Sequence, residues 1–170
     1  MHPKDTNMIR NSKVIVVDYS NPQHANDLVM LLEHYALDPM GGNKPLADSV
    51  KQNLASELAK IPNATSVLCY VNDIAAGLIN CFHGFSTFKC KPLINIHDVI
   101  VHSQFRGIGL STQMLKVVEQ LAIDRGCCKL TLEVLSENSL AKNIYTNFGF
   151  NPYQIGVENG HAIFLEKALQ

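Results

Sequence analysis

The sequence predicts an α+β domain in three layers, α/β/α, and three observations carry that expectation. Two segments, Thr65 to Val71 and Ile74 to Phe82, flank the two-residue turn Asn72-Asp73, and Leu93 to Val101 returns as the third strand of a meander. Two helical apolar stripes precede this meander. From Leu93 onward the order becomes strand, helix, strand, helix. Strands in a run, with helices before and between them, call for one sheet with helices on both faces.

The elements follow in order. Lys13-Val14-Ile15-Val16-Val17-Asp18 is a β-branched run and reads as a first strand. Ser20-Asn21-Pro22-Gln23 is a capping-box pattern with proline in the first turn, and Leu28, Leu31, Leu32 and Tyr35 carry the stripe of the helix it opens. That helix should stop before Asp38-Pro39-Met40-Gly41-Gly42, because Pro39 disfavours helical geometry at Asp38. Val50, Leu54, Leu58 and Ile61 mark a second helix ending at Pro62-Asn63. The Gly/Pro-rich loop between the two either borders a substrate cleft or merely connects them. His83-Gly84-Phe85-Ser86-Thr87-Phe88 is expected to leave the hairpin. A helix from Gly107 to Arg125 buries Leu110, Met114, Val117, Val118 and Leu121, with Gly126 as its left-handed cap. Lys129 to Leu135 is the next strand, and a short helix spans Ser139 to Phe148 between Asn138 and Gly149. Tyr153 to Gly156 and His161 to Leu165 are expected to close as a hairpin around Glu158-Asn159-Gly160. Residues 1–12 are expected to form a flexible tail and 13–170 a single domain, since no repeat or linker divides them.

Composition narrows the function classes. A chain of 170 residues, 46% hydrophobic and 17% charged, can bury a substantial core without staples. Its formal net charge of −1 supplies no electrostatic reason to expect nucleic acid or an anionic membrane as partner. A small molecule or peptide is the default substrate. Five cysteines, two of them adjacent at Cys127-Cys128, do not form a disulfide framework, and no Cys/His pair has zinc-ligand spacing, so no metal is expected. Met1 to Ser12 is polar and lacks an apolar signal core, so a reducing cytoplasm is the expected location.

The most informative stretch runs from Asn95 through Ile96-His97-Asp98-Val99-Ile100-Val101-His102-Ser103-Gln104-Phe105-Arg106-Gly107-Ile108-Gly109-Leu110-Ser111 to Thr112. An apolar strand ends in a polar turn, passes through Arg-Gly-x-Gly and runs into an amphipathic segment. Glycines let backbone N–H groups approach a ligand, and a following helix N-terminus adds partial positive charge, which together suit a pyrophosphate. The two commonest phosphate loops do not fit: there is no Lys-Ser/Thr after the second glycine and no third glycine at the dinucleotide spacing.

Taken with Leu132-Glu133-Val134-Leu135-Ser136-Glu137-Asn138 and Ala141-Lys142-Asn143-Ile144-Tyr145-Thr146-Asn147-Phe148-Gly149-Phe150, this stretch resembles the GCN5-related N-acetyltransferase (GNAT) superfamily. The resemblance spans Val67 to Phe150, and Gly77 to Gly149 is also similar to the small-molecule, polyamine-acetyltransferase-like branch. It implies a mixed, mostly antiparallel central sheet with helices on both faces, and acetyl-CoA as co-substrate. Its pyrophosphate would lie on Gln104, Arg106, Gly107, Ile108, Gly109, Leu110 and Ser111. Ser103 replaces a common proline, and Ser111 stands where a glycine or alanine is frequent. Both are small and polar, so phosphate binding stays within reach.

The resemblance further implies that Val99, Ile100 and Val101 offer backbone groups to the pantetheine arm, and that their strand splays from the one at Lys129 to Leu135. Tyr145 would reprotonate the departing thiolate; a phenol of pKa about 10 can do so for a thiol near 8.5. Asn138 would contact the cofactor, or simply cap its helix. For the proton leaving the amine, Glu133 stands twelve positions before Tyr145 and His97 stands where polyamine acetyltransferases carry a glutamate. Asp98 and solvent water are the remaining alternatives. Strand alternation would put His97 with Val99 and Val101 on one face and Asp98 with Ile100 on the other.

Acceptor selectivity is expected from Met40-Gly41-Gly42 and from His83, Phe85, Ser86, Thr87 and Phe88, with His83 equally an ordinary surface or capped histidine. The lack of a carboxylate cluster there argues against a polyamine. No cysteine has a histidine beside it by local spacing, so direct attack is expected rather than an acyl-cysteine route. The resulting expectation is an acetyl-CoA-dependent N-acetyltransferase acting on a small primary amine. Its alternatives are a protein or peptide N-acetyltransferase and a non-catalytic acetyl-CoA sensor. A homodimer through the late strands is implied by analogy alone.

Overall fold

The computed structural model describes residues 11–153 and 165–168. They fall into two compact units divided between Glu133 and Val134. The expected closing hairpin and residues 1–10 of the expected tail lie outside the described residues.

The first unit holds strands β1 (Ser12–Val16), β2 (Ala64–Val71), β3 (Ile74–Ser86), β4 (Lys91–Val101) and β5 (Leu130–Leu132). It also holds helices α1 (Pro22–Ala36), α2 (Asp48–Ala59) and α3 (Leu110–Asp124), with single 3₁₀ turns at Pro39–Gly41 and Ser103–Phe105. Helix α4 (Ser139–Phe148) belongs to the second unit. The sheet order is β1-β2-β3-β4-β5, antiparallel up to β4 and parallel between β4 and β5. The sheet is therefore mixed and mostly antiparallel, as expected.

Alternation along the strands separates two cores. Leu68, Leu78 and Ile100 face Leu28 and Leu31 of α1 and Leu58 of α2. On the opposite face Gly77 lies so close to α3 that an added Cβ would sit 2.7 Å from Met114 Cε. Helix α3 buries Leu110, Met114, Leu115, Val118 and Ala122 at i, i+4, i+5, i+8 and i+12. Each fully buried large aliphatic side chain contributes about 1.5–3 kcal/mol, so this one stripe is enough to hold α3 on the sheet.

Several boundaries differ from the sequence reading for local reasons. The cap of α1 is Asn21, whose side chain accepts from the N–H groups of Gln23 and His24. Pro22 at the first helical position keeps Asn21 extended, and Ser20 turns to Asp18 instead. Residues His83 to Ser86 do not leave the hairpin but stay paired with Lys91 to Ile94. Helix α3 begins at Leu110 rather than Gly107, because Gly107 and Gly109 are left-handed. The Asn72-Asp73 turn forms as expected, with both residues at positive φ, which suits the right-handed twist of its strands.

Candidate active site

The site is built where β4 changes neighbours. Strand β5 pairs with β4 only at Ile94, Asn95 and Ile96. The next residue, His97, is an extra residue in the ladder to β3: Cys81 pairs with Ile96 and Asn80 with Asp98. Beyond that bulge Val99, Ile100 and Val101 keep Ile79, Leu78 and Gly77 as partners on one side, while β5 no longer accompanies them on the other. A bulge bends its strand and disrupts the local ladder, and pairing to β5 stops at the residue before this one. Ile100 is 2% exposed in the α1/α2 core, so only its backbone can face a ligand.

The bulge also corrects the expected alternation. His97 and Asp98 do not point to opposite faces but share the α1/α2 face. The His97 ring meets Phe82 edge-on at 5.6 Å, and Asp98 accepts from Asn80 Nδ2 at 2.9 Å. Phe82 and Asn80 are two apart on β3 and so lie on one face.

After β4 the chain turns through His102–Gly109. His102 caps the short 3₁₀ turn, its Nδ1 accepting from the Gln104 N–H. Phe105 and Ile108 are buried and anchor the turn, leaving Gln104, Arg106, Gly107 and Gly109 exposed. Gly107 and Gly109 have φ of 83° and 84°, and a Cβ added at either would meet nothing within 4 Å. Backbone conformation, not space, therefore requires glycine at both. No side chain caps α3, so the N–H groups of its first turn, from Leu110 and Ser111 onward, point out of the turn without a capping acceptor. A helix N-terminus of this kind is suited to an anion such as a pyrophosphate. Because the Ile108 and Leu110 side chains are buried, these two residues can serve a ligand only through their backbones.

The exposed Arg106 side chain makes two contacts within the chain. Its Nη2 lies 2.8 Å from Asp38 Oδ2, and its Nε donates to the Val101 carbonyl. The guanidinium, followed by the Met40 N–H, holds the Asp38 carboxyl below the usual range. The glycine turn before α3 is thus tied to the Pro39–Gly41 turn after α1. A second tie runs from the Ser103 N–H to His34 Nε2 at 3.1 Å, with the His34 and His102 rings stacked at 4.0 Å.

Further polar groups gather on the α1/α2 face. Tyr35 donates to the Met40 carbonyl, and burial, with Asp98 and Asp38 nearby, pushes its phenol up. Gly41 packs so tightly that a Cβ would lie 1.9 Å from the Tyr35 carbonyl oxygen. Glu33 holds the loop beyond, accepting from the Leu46 N–H and pairing with Lys51. Behind Asp98 runs a polar chain. The Tyr19 hydroxyl meets Ser66 Oγ, which donates to Asn80 Oδ1, and Asn80 Nδ2 donates to Asp98. Sequence reasoning missed Tyr19, Ser66, Asn80 and Tyr35. The available signal was a polar residue at an inward position of each strand: Ser66 between Ala64 and Leu68, and Asn80 between Leu78 and Phe82.

The other expected residues are placed as follows. Glu133 is exposed and directly follows β5, whose Leu132 partners Ile96 beside the bulge. His83 lies on the α3 face, next to the Thr65 hydroxyl and accepting from Arg125, away from His97 and Asp98. Burial, then Arg125, lowers its pKa. Burial pushes the Cys69 thiol up to about 11 and the Cys81 thiol up to about 12, which makes both poor nucleophiles. In the second unit Asn138 caps α4, its side chain accepting from the Ala141 N–H. Tyr145 is half-buried in α4, its ring edge-on to Phe150 at 5.9 Å, with Gly149 left-handed at the helix end.

Comparisons with known proteins bear on the family and the fold. The bovine (Bos taurus) thialysine N-epsilon-acetyltransferase is 31% identical over 96 residues, 56% of this chain and 53% of the relative. The Caenorhabditis elegans thialysine N-epsilon-acetyltransferase is 26% identical over 140 residues, 81% of each chain. The match thus spans about half the length of the bovine relative and a third of the mouse one. Among solved structures, an aminoglycoside acetyltransferase from an uncultured soil metagenomic sample, in complex with sisomicin, superimposes with a TM-score of 0.76 at 13% identity, over 96% of this chain and 99% of that one. An aminoglycoside N-acetyltransferase in complex with CoA gives 0.70 at 16%, over 92% and 94%. At such identities the likeness shows the fold. The profile of the acetyltransferase (GNAT) family matches residues 28–150, through both the phosphate turn and α4, and the chain belongs to that family.

Proposed function

We propose that this chain transfers the acetyl group of acetyl-CoA to a primary amine of a small molecule by direct attack. The observation that carries this reading is the uncapped N-terminus of α3. It follows two left-handed glycines, at the end of a strand that has just parted from its neighbour. Acetyl-CoA supplies an activated thioester carbonyl; the remaining work falls to the chain. Backbone N–H groups of Gly107 to Ser111 hold the diphosphate, and the free edge of Val99–Val101 aligns the pantetheine arm beside the bulge. One such N–H aimed at the carbonyl oxygen stabilises developing charge, a donor whose loss typically costs about 3–4 kcal/mol of barrier.

The amine approaches from the α1/α2 face, where His97 and Asp98 stand together. An alkylammonium near pKa 10.4 must lose a proton before attack, and His97, with Asp98 beside it, takes that proton directly or through water. Glu133 is the competing base. As the C–N bond forms and the C–S bond breaks, Tyr145, assigned by its place in the second motif, gives its proton to the thiolate, and the second proton shed by the nitrogen as it becomes an amide restores the phenol through water. Two relatives named for thialysine acetylation support an acceptor carrying a terminal aminoalkyl group.

The test incubates the protein with acetyl-CoA and a panel of thialysine, lysine, an aminoglycoside and a short peptide, following free thiol. Thiol release with a small primary amine is the expected result. CoA binding with no release for any amine would favour a sensor, and release with the peptide alone a protein acetyltransferase.

A further inference from the structure

Two histidines meet at the start of the glycine turn, His34 from α1 and His102 from the end of β4; neither has a part in the reaction proposed above, and their geometry is specific. His34, on the last turn of α1, uses Nε2 to accept the Ser103 N–H. His102, at the end of β4, uses Nδ1 to accept the Gln104 N–H. The two rings stack 4.0 Å apart and 19° from parallel, and His102 is also 6.0 Å from the Phe105 ring that anchors the turn. Each ring can make its bond only while the accepting nitrogen carries no proton. The same turn presents the α3 N-terminus and both left-handed glycines.

We propose that His34 and His102 are positioning residues: their stacked, neutral rings hold the phosphate turn against the end of α1, and protonation releases it. A proton on either accepting nitrogen would set a donor against a backbone N–H, and two imidazolium rings at this separation repel. The charged groups facing the pair are Asp38 and Arg106, and they answer each other at 2.8 Å, so no unpaired carboxylate is left to favour imidazolium. In agreement, burial first, then His102 and Arg106, lowers the His34 pKa, with Asp38 opposing. The sign follows: the neutral clamp is complete above histidine's ordinary value of about 6.5 and is lost as pH falls through the lower value of His34. This inference rests on the turn being the phosphate site.

The probe is dephospho-CoA, which lacks the 3′-phosphate monoester whose own titration would confuse the profile. Calorimetry is run from pH 7.5 to pH 5.0 on protein whose circular dichroism is unchanged over that range. The wild-type Kd is expected to weaken by about tenfold or more, and that of His34→Gln/His102→Asn by less than about twofold, because both amide oxygens accept an N–H without titrating. A flat wild-type profile, or an equal fall in the double variant, overturns the clamp while leaving the phosphate site standing. Absence of binding in every protein at pH 7.5 overturns the phosphate site and the clamp with it. A second measurement needs no ligand: imidazole ¹⁵N spectra at pH 7.5 should show His34 protonated on Nδ1 and His102 on Nε2. Either ring in the other tautomer would remove the proposal.

Discussion

At Gly107, Gly109 and Gly41 one residue type is required for two different reasons, and the difference is measurable. Gly107 and Gly109 need a left-handed backbone but have open space around them. Gly109→Ala is therefore expected to cost about 1–2 kcal/mol by urea denaturation, the ordinary penalty of a left-handed alanine, and to weaken CoA binding in calorimetry. Gly41→Ala meets a fixed carbonyl oxygen and should cost more than Gly109→Ala in the same denaturation series. Asn80 presents another residue-scale dependence. Asn80→Ala would take one hydrogen-bond partner from buried Ser66 Oγ and one from half-buried Asp98, at an expected cost of about 1–3 kcal/mol. For the base, kcat/KM against pH should lose its acidic limb in His97→Ala or in Asp98→Asn but not in Glu133→Gln if the α1/α2 face supplies it. The reverse pattern would hand the role to Glu133. Glycines and motif residues were legible in the sequence because backbone torsion is a local property; the Asn80 chain was not, since its partners come from three segments.

The elements show how a single inserted residue redirects a strand. Alternation predicted His97 and Asp98 on opposite faces, and the bulge at His97 turns both to one. Its effect reaches both edges, because the β5 ladder ends at the residue before it. Pairing of this kind depends on the partner strands, which explains why a strand expected over Lys129 to Leu135 forms only at Leu130–Leu132. The β2–β3 hairpin is a simpler case. Asp73 holds φ of 62° at the second turn position, where glycine is favoured. Asp73→Gly should raise stability by up to about 1 kcal/mol, seen as a higher urea midpoint with unchanged slope. A lower midpoint would mean that the turn draws on contacts its backbone does not reveal.

For the whole molecule, acidification should act in two stages. Neutral His34 and His83 are favoured in the folded state, their pKa values lowered, so their contribution is complete above about pH 6.5 and fades below it. Asp38, Asp18 and Glu33 are also lowered, by Arg106, by Ser20 and by Lys51 respectively. Their contribution is complete above the unfolded carboxylate range of about 4 and is lost as pH falls through the folded values. Urea midpoints are expected to fall modestly between pH 7.5 and 5.5 and steeply below 4. A midpoint that rose between pH 7.5 and 5.5 would contradict the assigned directions.

By itself the sequence determined the α+β class, the order of strands and helices, the Asn72-Asp73 turn and the glycine turn that opens α3. These depend on side-chain period and on φ, which neighbouring residues dictate. Only tertiary structure decided that His97 and Asp98 share a face, that Arg106 and His34 tie the glycine turn to the end of α1, and that His83 lies on the α3 face. Those are contacts between segments up to about seventy residues apart, and no local pattern encodes the register that brings them together.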